Sequence, residues 1–177
     1  MSQSTPLPTE SRSHSDLLRG AKAKYQASDY QGAIVDYTLA IAAQTDDALA
    51  ICCRGAAYYK LGAGKNALSD YNRSIALDPK AAITYYRRGS LYYSIADYQN
   101  AIADYNRATE LQPDFAFAYS NRGYAYRELY GEQEALIDWR FAAKLFKEQG
   151  NLAQYQHIVD LIDRITGLDS SASGMLS

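Results

Sequence analysis

The chain has no run of 18 apolar residues, so no membrane-spanning helix is predicted. Its start, MSQSTPLPTESRSHSD, has no basic stretch leading into an apolar one, so no secretory leader is expected and the protein is read as cytoplasmic. Its two cysteines, Cys52 and Cys53, are adjacent. An ordinary loop-closing disulfide between them is not expected, and they read as reduced thiols at small helix positions. Charge of either sign is scarce in the balance: the net charge is -2 and the pI near 5.7, which gives no global pull toward nucleic acid or anionic membrane.

Catalytic patterns are lacking too. The two histidines, His14 and His157, stand in neither metal-ligand spacing nor a pattern with Ser or Cys partners. Gly62, Gly64 and Lys65 look at first like a phosphate loop, but the required first glycine is Tyr59 and the residue after the lysine is Asn66. The reading is therefore a non-enzymatic protein that needs no cofactor and no metal.

What the chain does have is repetition. Arg54-Gly55, Arg88-Gly89 and Arg122-Gly123 recur every 34 residues, as do Tyr58, Tyr92 and Tyr126, and Ala67, Ala101 and Ala135. Periods of about 20–50 residues mark folds whose units stack because none can bury its apolar face alone. The period lays out four units, 14–47, 48–81, 82–115 and 116–149, after a disordered N-terminal segment over 1–13. Each unit splits into two helical halves at a turn signal: Ser28-Asp29, Gly62-Ala63-Gly64, Ala96-Asp97 and Gly131-Glu132. Asp29 and Asp97 are placed as N-caps, and Pro79 and Pro113 close the second helices of units two and three.

Hydrophobic residues make up 47% of the chain, and 17 residues are tyrosine, most of them at fixed repeat positions. Gly55, Gly89 and Gly123 are read as points where paired helices approach closely, opposite Ala67, Ala101 and Ala135. Tyr37, Tyr71, Tyr105 and Trp139 are read as filling the wedge toward the next unit. Arg54, Arg88 and Arg122 each precede an aspartate by 16 residues, Asp70, Asp104 and Asp138, which suggests ion pairs across each hairpin. Partly exposed pairs of this kind contribute only about 0–1 kcal/mol each. Unit one has Asp36 but Gly20 in place of the arginine. Over 150–167, Leu152, Tyr155, Ile158, Val159, Ile162 and Ile165 share one face of a helix suited to capping the last unit, with a disordered tail over 168–177.

The signature positions, Tyr85, Arg88-Gly89, Tyr92, Ala101, Tyr105 and Pro113 in unit three, resemble the tetratricopeptide repeat. Unit two matches through Ile51, Gly55, Tyr58, Ala67, Tyr71 and Pro79, and unit four through Tyr119, Gly123, Tyr126, Ala135 and Trp139. Unit one departs most, with Ala21 for the glycine and Lys24 for the first tyrosine. The wording IADYNRA is similar to bacterial scaffold and adaptor versions of the repeat. The resemblance implies an all-α, right-handed superhelical solenoid of four helix-turn-helix units plus a C-terminal capping helix.

It also implies a concave wall, built by the first helix of each unit, that binds a protein or peptide partner. Carried over to this chain, the peptide-binding positions are Tyr59, Tyr86, Arg87, Tyr93, Asn121, Tyr124 and Arg127. Rings and guanidinium groups there suit an acidic or carboxyl-terminal segment with apolar anchors. The carboxylate clamp known in co-chaperone members is absent: Arg87 holds the arginine place, but Ile83 stands for its lysine and Cys53 for its asparagine. The function read from this is an adaptor or assembly factor. Two rivals remain at this stage, an RNA-binding helical-repeat protein and a structural protein self-associating through the capping helix.

Overall fold

The structure, a computed structural model, describes residues 12–167; of the segments expected to be disordered, residues 1–11 of 1–13 and all of 168–177 lie outside them. Nine helices and no strand occur among the described residues: α1 (His14–Gln26), α2 (Tyr30–Ala43), α3 (Ala48–Lys60), α4 (Gly64–Leu77), α5 (Ala82–Ser94), α6 (Tyr98–Leu111), α7 (Ala116–Tyr130), α8 (Glu132–Glu148) and α9 (Leu152–Thr166). This is an all-α helical-repeat fold. Two compact units make up the chain, Met1–Leu77 with the hairpins α1–α2 and α3–α4, and Asp78–Ser177 with α5–α6, α7–α8 and α9.

Local chemistry sets the helix ends. Asp29, Asp47 and Asp97 accept hydrogen bonds from the backbone N–H groups of Gly32, Ala50 and Asn100, satisfying donors that a helix leaves free in its first turn. The first helices close in a left-handed residue at Ser28, Gly62 and Ala96, each followed by a backbone bond reaching back five residues, such as Asp97 N–H to Tyr92 O at 2.9 Å. Only Gly62 takes that conformation without a side-chain penalty. Ser13 and Arg12, expected within the disordered lead-in, are engaged: Ser13 caps α1 through Asp16 N–H, and Arg12 reaches Asp36.

Each hairpin is drawn tight at its glycine. A methyl group at Gly55 would lie 2.9 Å from the Tyr71 ring, at Gly89 2.9 Å from the Tyr105 ring, and at Gly123 2.6 Å from the Trp139 indole. Tyr71, Tyr105 and Trp139 are fully buried. These rings therefore fill the space that their own hairpin's glycine leaves open, and are not simply wedges toward the following unit. Tyr105 also reaches onward, sharing a cluster with Ala101, Ile102 and Ala125 of α7.

Beside each glycine sits the arginine, and the expected pairs form with the arginine partly exposed and the acid buried. Arg88 donates from Nε and Nη2 to the two carboxylate oxygens of Asp104 at 2.8 and 2.7 Å, and Arg54–Asp70 and Arg122–Asp138 repeat the fork. The aspartates are buried within the hairpin. Tyrosine rings flank the guanidinium groups: Tyr85 and Tyr92 around Arg88 at 5.7 and 5.9 Å, and Tyr119 and Tyr126 around Arg122 at 5.1 and 6.0 Å. The hydrogen bonds to Asp104 hold Arg88 above its usual basicity despite the opposing effect of burial. In unit one, Asp36 is served from elsewhere. Arg12 Nη2 donates to Oδ1 at 2.9 Å, and Lys24 Nζ lies 2.7 Å from Oδ2 outside hydrogen-bonding angles.

The end of the second unit is closed by α9. Ile158 is buried against Leu145, Phe146 and their neighbours on α8, and Tyr155, Val159, Leu161, Ile162 and Ile165 pack around it. Leu152, expected on that face, is instead 66% exposed at the helix start, and Leu161 joins in its stead. Asn151 caps α9 through Gln154 N–H.

Three stability outcomes follow from this packing. Gly89→Ala, measured by chemical denaturation, is expected to cost about 1–3 kcal/mol, because its methyl group must push a buried ring. Arg88→Ala is expected to cost about 3–5 kcal/mol by leaving Asp104 buried without its partner, whereas an exposed pair would cost under about 1 kcal/mol. Ala96→Gly removes a left-handed penalty of about 1–2 kcal/mol and adds back about 0.5–1 kcal/mol of chain entropy, so a net gain of roughly 0.5–1 kcal/mol is expected.

Candidate functional site

Six of the seven residues expected to line a binding wall lie in the second unit: Tyr86, Arg87 and Tyr93 on α5, and Asn121, Tyr124 and Arg127 on α7. Tyr59 lies on α3 of the first unit, at the helix position that Tyr93 holds on α5. All seven are partly exposed. They recur because helix pairs bury the glycine and alanine side of each first helix, which leaves the residues about half a turn away facing outward.

On α5, polar atoms and rings fix the tyrosines. Asn121 donates from Nδ2 to the Tyr86 hydroxyl at 3.3 Å, bridging α7 to α5. The Tyr86 ring lies 4.8 Å from Phe115 and 6.0 Å from Tyr105, whose hydroxyl donates to Ser90 Oγ at 3.3 Å. Tyr93 packs on Tyr98 at 5.4 Å. Its phenol is pushed above the ordinary range by burial and then by the nearby charge of Glu128, against the pull of Arg127. A neutral phenol can both donate and accept hydrogen bonds.

On α7, Arg127 is already engaged within the chain. Its guanidinium lies over Tyr124 at 5.4 Å and Trp139 at 5.9 Å, and its Nε and Nη2 both donate to Glu128 Oε1, at 3.2 and 2.7 Å. An incoming carboxylate must compete with Glu128 for that fork. Tyr124 packs edge-on to Trp139 at 5.2 Å, and its phenol is raised by burial while Arg127 and Arg164 oppose the shift. Phe117, placed on the wall by the same register, turns to Phe146 of α8 at 4.9 Å.

One member of this surface was not legible in the sequence. His157 of α9 meets the Tyr124 hydroxyl through Nε2 at 2.9 Å, so the capping helix extends the α5–α7 face. The 34-residue register assigns His157 to the glycine column, because it starts a fifth unit at residue 150. The helix begins at Leu152, two residues late, and that offset turns His157 toward Tyr124.

The outward face combines apolar, hydrogen-bonding and charged groups. It offers flat apolar rings tipped with neutral hydroxyls, an amide and guanidinium groups. No group of three or more metal-ligating side chains forms among the described residues, and no helix there is long and apolar enough to cross a membrane. Cys52 is buried and Cys53 partly so, and neither forms a disulfide.

Comparison with known proteins is consistent with this geometry. Residues 89–129 match the family model of the tetratricopeptide repeat. No curated protein sequence matches. Among solved structures, a crystal structure of MamA aligns with a TM-score of 0.70 at 25% identity, covering 78% of this chain and 81% of that one. The first tetratricopeptide domain of Spaghetti (RPAP3), bound to the HSP90 peptide SRMEEVD, aligns with a TM-score of 0.63 at 26% identity over 66% of this chain and 92% of its own. The Arabidopsis OM64 tetratricopeptide domain aligns likewise, with a TM-score of 0.63 at 26% identity over 65% and 95%. The matched segment runs from Gly89 through α6 into α7, the elements carrying the glycine contact, the forked pair and the outward face, and the helical-repeat fold of the chain is that of its tetratricopeptide-repeat neighbours.

Proposed function

We propose that the chain is a non-enzymatic protein-interaction module, an adaptor or assembly factor of the cytoplasm, that seats a peptide segment of a partner on the α5–α7 face. The observation that carries this is the cluster of partly exposed, hydrogen-bonded tyrosines flanked by Arg87 and Arg127. Rings already ordered by Asn121, Tyr98 and Trp139 bury apolar area at small entropic cost when a peptide settles on them. A solved relative of the same fold holds a peptide with an acidic end, which is a further support.

The partner segment that fits is acidic or carboxyl-terminal, with apolar side chains spaced to meet Tyr86, Tyr93 and Tyr124. Arg87 and Arg127 are its carboxylate anchors, the latter in competition with Glu128. Tyr59 gives the first unit a surface of the same kind.

With an isolated partner peptide, calorimetry is expected to show Arg87→Ala and Tyr93→Ala each weakening binding by more than about 2 kcal/mol, roughly 30-fold, while melting temperatures stay near that of the native chain. Glu128→Gln is expected to strengthen binding of an acidic peptide by freeing Arg127. Unchanged affinity in both Arg87→Ala and Tyr93→Ala excludes this face as the seat.

A further inference from the structure

A separate hollow of about 470 Å³ opens on the α7–α8 hairpin. Successive residues of a helix turn about 100°, which sets Tyr119 and Arg122, at the floor of the hollow, on the side of α7 away from Asn121 and Tyr124. The hollow is thus distinct from the face described above. The Tyr119 and Phe141 rings meet at 4.6 Å to form its apolar floor, and Ile137 stands beside them with 76% of its surface exposed.

Folding of the hairpin does not call for these side chains. The positions of Ile137, Arg140, Phe141 and Lys144 are held one period earlier by Ala103, Asn106, Arg107 and Glu110, and two periods earlier by Ser69, Asn72, Arg73 and Ala76. Units two and three complete the same hairpin with small and polar residues there, and unit one exposes Val35 and Leu39 at the places of Ile137 and Phe141 but has Thr38 and Ala42 at the places of the two cations. Unit four alone of the four joins two large apolar groups to two cations at these positions. An isoleucine left in water adds little to the core, and contiguous exposed apolar groups of this kind mark interaction sites.

Charge identifies the occupant. Arg140 makes no ion pair among the described residues, and Lys144 has only a loose one, 3.8 Å from Glu148. The acid nearest the floor, Asp138, is buried and both its oxygens are taken by Arg122. Arg140 and Lys144 are four residues apart, so they project side by side along one edge of the hollow. A local surplus of positive charge therefore rims an apolar floor in a chain whose net charge is -2.

We propose that this hollow is a second docking site, for an acidic amphipathic segment of a partner protein. An apolar side chain of that segment seats on Tyr119, Ile137 and Phe141, and carboxylates beside it meet Arg140 and Lys144. The chain thereby holds two protein segments at once, one on each side of α7.

The test is selection of a random 12-residue peptide display library on the full chain, followed by affinity measurement of the enriched peptides at low and high salt. Selected peptides are expected to combine Asp or Glu with Leu, Ile or Phe. A subset of them is expected to lose at least tenfold in affinity with Ile137→Ser and with Arg140→Glu while binding Arg87→Ala as tightly as the native chain. Ile137 and Arg140 are exposed, so melting curves of both variants are expected to overlay the native one. The proposal is overturned if no selected peptide is sensitive to these two substitutions, or if the sensitive peptides are basic or uncharged. It is also overturned if sedimentation shows a self-association of the chain that Ile137→Ser abolishes, since the occupant is then a second copy.

Discussion

The contact on which each well-formed repeat depends is the close approach at its glycine, where an aromatic ring from the second helix occupies the place of a side chain on the first. A Cβ at Gly55, Gly89 or Gly123 would stand within 3 Å of Tyr71, Tyr105 or Trp139. That proximity orders the rest of the hairpin. With the helices this near, the arginine preceding the glycine falls in reach of the aspartate preceding the ring, and the two close a forked pair whose acid is buried. A tyrosine four residues after the arginine flanks its guanidinium in all three, joined at Arg88 and Arg122 by another three residues before, so glycine, ring, arginine and aspartate form one packed set.

The buried pair is better understood as a device of register than as a source of net stability. Desolvating two charges offsets most of their attraction, yet losing one partner is costly, so each hairpin tolerates a single alignment of its helices. Unit one keeps the device with different parts. Gly20 removes the arginine, and Lys24, at the place of the first tyrosine, brings an ammonium to Asp36 while Arg12 supplies the second cation from before α1. Two departures that look independent along the chain compensate each other across the hairpin.

Because every hairpin buries the same side of its first helix, the opposite side is free to vary. On α5 and α7 the exposed positions carry tyrosine, asparagine and arginine, tied together by Asn121–Tyr86 and by Arg127 over Tyr124. The capping helix joins them through His157. Its apolar side is committed to α8, so it serves both as the cover of the second unit and as an edge of the outward face.

The sequence by itself determined the helical repeat, its 34-residue period, the turns at Ser28, Gly62, Ala96 and Gly131, and the caps at Asp29 and Asp97. These follow from local rules: spacing along a helix, the backbone freedom of glycine, and the preference of aspartate for a helix start. Only the tertiary structure decided the strength of the Arg–Asp pairs, because burial is a property of neighbours and not of spacing. It also decided that Glu128 holds Arg127, that Lys24 and Arg12 serve Asp36, that Leu161 rather than Leu152 seals α9, and that His157 meets Tyr124. In each case the deciding quantity is a side chain's direction or a two-residue offset in a helix start, and a period of 34 residues carries no information about either.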